Sequence, residues 1–136
     1  MWLTHCYGTV AVGRSNAPDT GSGIELYAII GHAQRHMDRN LAVVGRVLEG
    51  MEVLAGLPRG APPQGNYQKS EFIQISRVQA FSADDAAAPR FEVLRTDTPT
   101  FTQYVNARAN RLDAFYAKPA GGIDVCNVQV PIRRRK

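Results

Sequence analysis

Residues 24–50 read I-E-L-Y-A-I-I-G-H-A-Q-R-H-M-D-R-N-L-A-V-V-G-R-V-L-E-G, and no other stretch limits the possible folds as strongly. Two runs rich in β-branched and aliphatic residues flank a polar loop with two His, two Arg and an Asp. The runs are expected as strands near residues 25–30 and 41–48. The second run closes on V-G-R-V-L-E-G-M-E, with glycines at Gly45 and Gly50.

The rest of the chain falls into place around that unit. T-V-A-V-G-R at 9–14 is expected as a short strand, and S-N-A-P-D-T-G-S-G at 15–23 is dense enough in turn formers to be a loop. Met51, Val53, Leu54 and Leu57 have near-helical spacing and Pro58 stops the run, which predicts a helix of about two turns over 50–57. Another loop covers 58–67. F-I-Q-I-S-R-V-Q-A-F at 72–81 alternates as a strand, with its apolar face changing sides near Ser76, where a bulge is expected. A further short strand is expected at 91–94. Thr98 as N-cap and Pro99 at the first helical position open a helix predicted to run over 99–115. Phe101, Tyr104, Val105, Leu112, Phe115 and Tyr116 share one face of it. Pro119 and Gly121-Gly122 end that helix, and a strand over 125–131 carries Cys126. At 136 residues the chain is one domain by length, and twelve Gly with eight Pro point to many turns rather than a helical bundle.

The net charge of +4 is local in origin, because the last four residues, 133–136, are all basic and without them the balance is zero. The expected state of this tail is a solvated terminus, and no basic face with interleaved aromatics accompanies it, so nucleic acid is not an expected partner. No apolar run approaches the roughly 20 residues of a membrane span, so no membrane partner is expected either. M-W-L-T-H-C-Y-G at the start has neither a basic n-region nor an h-region. Compartment stays open: periplasmic or secreted if a signal peptide lies upstream of Met1, otherwise cytoplasmic. Cys6 and Cys126 lie near opposite ends, and a disulfide closing a long loop and two buried thiols are equally compatible with that spacing.

Motifs with chemistry of their own are sparse. His32 and His36 form H-x-x-x-H, and His5 with Cys6 adds possible ligands, but a zinc site needs three or four converging ligands and this pair sits in a loop. No metal is expected. Gly21-Ser22-Gly23 lacks the rest of a phosphate-cradling motif, Ser22 and Thr20 near Asp19 make no triad, and Asp84-Asp85 falls in a polar loop. No cofactor is implied.

Taken in order, V-A-V-G-R, the Pro- and Gly-containing loop, E-L-Y-A, H-M-D, L-A-V-V-G-R-V-L-E-G-M and F-I-Q-I-S resemble the C-terminal half of a cyclophilin-type peptidyl-prolyl isomerase. The resemblance runs from about Gly8 to Ser76. It implies a mainly β protein with short helices, a cyclophilin-like antiparallel β-barrel here lacking its N-terminal half. Residues 1–82 would be the C-terminal part of that domain, and 83–136 an extension with one helix and a terminal strand packed on it. The implied activity is acceleration of X-Pro rotation in proline-containing peptides or protein clients, the alternative being a non-catalytic proline-peptide-binding or chaperone-like module. Carried over residue by residue, the substrate-binding positions are Gly13, Arg14 and Ser15 along the peptide edge, Glu25 for the family's Gln, Tyr27 for its pocket Phe, His36-Met37 for its aromatic-Leu pair, and Leu41 for its pocket His or Tyr. Glu25 exchanges an amide for an acceptor-only carboxylate. The family's catalytic Arg and its F-x-x-Q segment lie upstream of the strand that begins here at Thr9, so no catalytic residue is carried onto this chain. Either a late start or a true fragment would account for this. A half-barrel would also leave open strand edges able to pair with another chain.

Overall fold

Four residues, T-V-A-V, have a strand on either side, and this explains why they are the best-buried run in the chain. A computed structural model describes residues 1–135. In it β1 (Thr9–Val12) lies between β2 (Leu26–Ala28) and β3 (Val43–Arg46) in one antiparallel sheet of order β2-β1-β3. Ala11 faces Tyr27 across one ladder and Val43 across the other. The β1–β3 register slips between Val10 and Ala11, leaving Val44 as the extra residue of a bulge. Helix α1 (Met51–Ala55) follows after Gly50, which takes the left-handed conformation at its N-cap.

The second sheet is a two-stranded pair of β4 (Phe91–Val93) and β5 (Ile132–Arg134), and between them in sequence runs α2 (Pro99–Ala109). Thr98 Oγ1 accepts the Phe101 N–H at 3.3 Å and Pro99 opens the helix, as expected. The helix stops at Ala109 rather than at 115. The Asn110 side chain donates back to the Asn106 carbonyl, and Asp113 Oδ1 accepts both the Phe115 and Tyr116 N–H groups, which fixes a turn in place of another helical turn. Leu112, Phe115 and Tyr116 therefore lie outside the helix and are exposed.

Three further expectations are corrected. Residues 72–81 form no strand: no ladder runs beside them, and their apolar side chains stand in solvent, Ile75 at 76 % and Val78 at 86 % exposure. Alternation places side chains correctly for a strand, but a neighbouring backbone must still satisfy the donors and acceptors. Residues 125–131 begin as a single 3₁₀ turn, Val125–Asn127, because Asp124 Oδ1 accepts the Cys126 N–H at 2.8 Å; the strand begins only at Ile132. The basic tail is not a free terminus. Arg133 and Arg134 belong to β5, where Arg133 pairs with Glu92 at 2.6 Å and Arg134 forks onto Glu49; Lys136 lies outside the described residues.

The mainly β character with few short helices holds, but the barrel does not: the strands are three or four residues long and form two separate sheets, and among the described residues no barrel closes. Closure needs every edge strand to find a second partner, whereas β2 and β3 each pair only with β1. The buried apolar core is correspondingly thin, with Ala11, Val12, Ile29 and Ala109 below the surface.

Links distant in sequence offset that thinness. Cys6 and Cys126 form a disulfide with their Cα atoms 5.1 Å apart. Arg46 donates to Gln129 Oε1 at 2.8 Å, and Tyr104 donates to the Gln129 carbonyl at 3.1 Å. The disulfide spans 120 residues of sequence, so in the chain-entropy view it destabilises the unfolded ensemble by about 4–5 kcal/mol. Cys126→Ser should lower the urea-unfolding free energy by roughly that amount, and a midpoint unchanged from wild type under oxidising conditions would show that the bridge adds nothing.

Candidate functional site

The end of the sheet brings Gly13 against Glu25. The Gly13 N–H donates to the Glu25 carbonyl at 2.9 Å, and a Cβ on Gly13 would lie 3.1 Å from both Glu25 Cβ and Oε2. Beyond it, the loop turns around Asp19, whose carboxylate accepts the Gly21 N–H at 2.9 Å and the Ser15 N–H at 2.7 Å. Those two amides, Gly21 first, hold the Asp19 carboxyl below its usual range, with help from the Arg14 charge. Gly21 is required there: its φ is +88°, and a Cβ would meet Val12 Cγ1 at 2.7 Å and the Gly13 carbonyl at 2.8 Å. Arg14 is held at the same end of the sheet by donating through Nε to the Asn40 carbonyl at 3.2 Å and through Nη1 to the Ser15 carbonyl at 2.7 Å.

Tyr27, opposite Ala11 on β2, carries its hydroxyl into a polar cluster. The hydroxyl lies 3.1 Å from His5 Nε2 and 3.8 Å from Met37 Sδ. The two rings are near parallel, at 13° with centroids 6.2 Å apart. His5 is fully buried, and its other nitrogen, Nδ1, lies 3.1 Å from Asp38 Oδ1, which also accepts the His5 backbone N–H at 2.8 Å. The His5 carbonyl in turn accepts the Gln34 N–H at 2.8 Å, fastening the polar loop to the N-terminal segment. Arg35 Nε donates to Asp38 Oδ2 from one turn earlier, a 3₁₀ turn over Arg35–Met37. Burial pushes the Asp38 carboxyl up, but the bonds from Arg35, the His5 amide and the His5 ring outweigh it and hold the group well below the ordinary carboxylate range. Burial alone pushes the Tyr27 phenol up, so it stays protonated.

Apart from Gly13, Ser15 and Glu25 at the end of the sheet, four of the expected positions gather into two groups. Tyr27 and Met37 touch in the cluster just described, while Arg14 and Leu41 line a cavity of about 400 Å³ with Trp2, Thr20 and Arg39. Arg39 takes a left-handed φ of 68°, uncommon for a residue with a side chain, and its guanidinium lies 5.4 Å from the centre of the Trp2 ring. His36 joins neither group: it is exposed, and its carbonyl accepts from Asn40. His32 is exposed as well, and among the described residues no three His, Cys, Asp or Glu side chains converge as metal ligands. Sequence reasoning missed the pairing of His5 with Asp38. His5 drew notice only as a neighbour of Cys6 and Asp38 only as the end of H-M-D; a pair separated by 33 residues has no local signature.

Chemically, the cluster offers a half-buried ring with an oriented hydroxyl beside a thioether. Removing the charge at Asp38 leaves His5 with a poorer partner in a buried place, so Asp38→Asn should cost about 3 kcal/mol of stability by urea unfolding. A carboxyl held low in the folded state contributes fully above its unfolded value, near ~4, and loses that contribution as pH falls through the folded value. Wild-type stability should therefore decline below about pH 4 more steeply than that of Asp38→Asn; parallel acid limbs would show that Asp38 carries no such linkage.

None of the curated proteins matches the chain. Residues 1–80 match the family model described as cyclophilin type peptidyl-prolyl cis-trans isomerase/CLD. That match takes in β1, β2, β3, the His5–Asp38–Tyr27 cluster and the Arg14–Leu41 cavity. With more than half of its length inside the match, the chain belongs to the cyclophilin-type peptidyl-prolyl cis-trans isomerase family.

Proposed function

We propose that this chain binds X-Pro segments of peptides or protein clients along the face formed by β2 and the 35–41 loop, and that it belongs to the machinery that rotates those bonds. The family match over residues 1–80 carries the reading. An X-Pro amide is held planar by resonance behind a barrier of about 18–20 kcal/mol, and exchange without help takes tens of seconds or more. Lowering that barrier requires contacts that favour the twisted amide over either planar form.

Tyr27 and Met37 would seat the proline ring, and Leu41 would add apolar wall. Gly13, Arg14 and Ser15 would lie along the peptide backbone, with Glu25 beside them as an acceptor. The N–H groups of Gly13 and Ser15 are already engaged, by the Glu25 carbonyl and by Asp19, so recognition there would use the remaining backbone groups and the Arg14 side chain. His36 would take part only through a movement of its loop. The resemblance carries no catalytic Arg onto a residue of this chain, and the proposal is accordingly of binding with little or no rotation by the chain as it stands. Residues 1–82 form the family part in this reading, with 83–136 as an extension tied to it, and the free edges of β2 and β3 are where another chain would pair.

Titrating the protein with acetyl-Ala-Ala-Pro-Ala-amide under NMR observation should shift the Tyr27 and Met37 amides, while the cis–trans exchange rate of the peptide changes little. Strong acceleration of exchange would overturn the low-activity part. Unmoved Tyr27 and Met37 signals at millimolar peptide would overturn the binding site.

A further inference from the structure

Hydrogen counting in the buried cluster leads further than the family match. An ionised carboxylate only accepts, and Asp38 is held ionised by Arg35 and by the His5 amide. The His5 nitrogen facing it, Nδ1 at 3.1 Å, must therefore carry a proton. In the neutral imidazole the other nitrogen, Nε2, is then bare and accepts, and the group it faces at 3.1 Å is the Tyr27 hydroxyl. Tyr27 has one hydroxyl proton. An imidazole nitrogen at 3.1 Å takes it in preference to the weakly accepting Met37 thioether at 3.8 Å. The phenolic oxygen is left with lone pairs that Met37, which has no donor, cannot satisfy.

We propose that His5, held by Asp38, is a positioning residue that fixes the Tyr27 hydroxyl so that the face of β2 and the 35–41 loop offers a bound peptide an acceptor, selecting ligands that bring an N–H or O–H donor next to the proline ring. This rests on the proposed reading of Tyr27 as part of the peptide-binding face. The ionisable groups facing His5 are Asp38, paired with Arg35, from the 35–38 turn and Tyr27 from β2; Arg35 also lies 3.9 Å from Asp124.

Two measurements on the full chain test this. Long-range proton–nitrogen spectra of the imidazoles, recorded without ligand, should show His5 as the Nδ1–H tautomer, with Nε2 moving toward the value of an unbonded nitrogen in Tyr27→Phe. An Nε2–H tautomer, or a ring unchanged by Tyr27→Phe, overturns the positioning role. With acetyl-Ala-Ala-Pro-Ala-amide as probe, Tyr27→Phe should weaken binding about five-fold, the effect of one hydrogen bond. His5→Gln should weaken it in the wild-type background but add nothing in Tyr27→Phe. Full additivity would mean that His5 acts by structure alone and overturns the proposal. Tyr27→Phe removes one atom from the side chain, so the imidazole spectra decide the matter even where His5→Gln fails to fold. A wild-type chain that binds no proline peptide overturns the proposed binding face and the ligand half of this one, whereas the ring tautomer, read without peptide, upholds or overturns the positioning half by itself.

Discussion

A buried imidazole leaves two nitrogens to be satisfied away from water, and an unmet one costs on the order of 1–3 kcal/mol. In this chain His5 meets that demand with Asp38 on one side and Tyr27 on the other. The three residues come from the N-terminal segment, the polar loop and β2. Their hydrogen bonds therefore set the position of the loop relative to the sheet. Arg35 and the Gln34 amide complete the joint, the first by charge at Asp38 and the second through the His5 carbonyl.

Polar and covalent joints take on this weight because the apolar core is small. With Ala11, Val12, Ile29 and Ala109 as the buried apolar residues among those described, burial of apolar surface cannot be the sole source of order. Exposed ion pairs such as Arg133–Glu92 contribute little individually. Backbone pairing of β4 with β5 and the bridge from Cys6 to Cys126 therefore bear more of the burden of holding the C-terminal segment. Cys6 directly follows His5 in sequence, so the covalent joint and the polar one anchor the same few residues.

Which parts of this were legible in the sequence depends on how far apart the cooperating residues lie. The Thr98-Pro99 helix start and the aliphatic runs of β1, β2 and β3 are local signals, and those elements form within the stretches the signals mark, whereas α1 ends at Ala55 with Gly56 as its cap, short of the Pro58 stop. Ends were less legible, since Asn110, Asp113 and Asp124 each offer a side-chain bond that competes with continuing the backbone pattern. Pairing across long separations left no trace in composition: β5 with β4, Cys6 with Cys126 and His5 with Asp38 are matters of tertiary placement. At the site, Tyr27 and Met37, named from the family order, do lie together, whereas His36 stands apart because its loop turns the ring to solvent.

Residues 72–81 have one more consequence. A protease cleft takes up extended chain with free backbone groups, and this segment offers such a stretch with Arg77 near its middle and no ladder to open first. Cutting there is a matter of access alone, with no unfolding step to slow it. The products, 1–77 and 78–136, would nonetheless stay one molecule, because Cys6 and Cys126 sit on opposite sides of the cut. A nicked chain would keep its mass until a thiol reductant separated the halves.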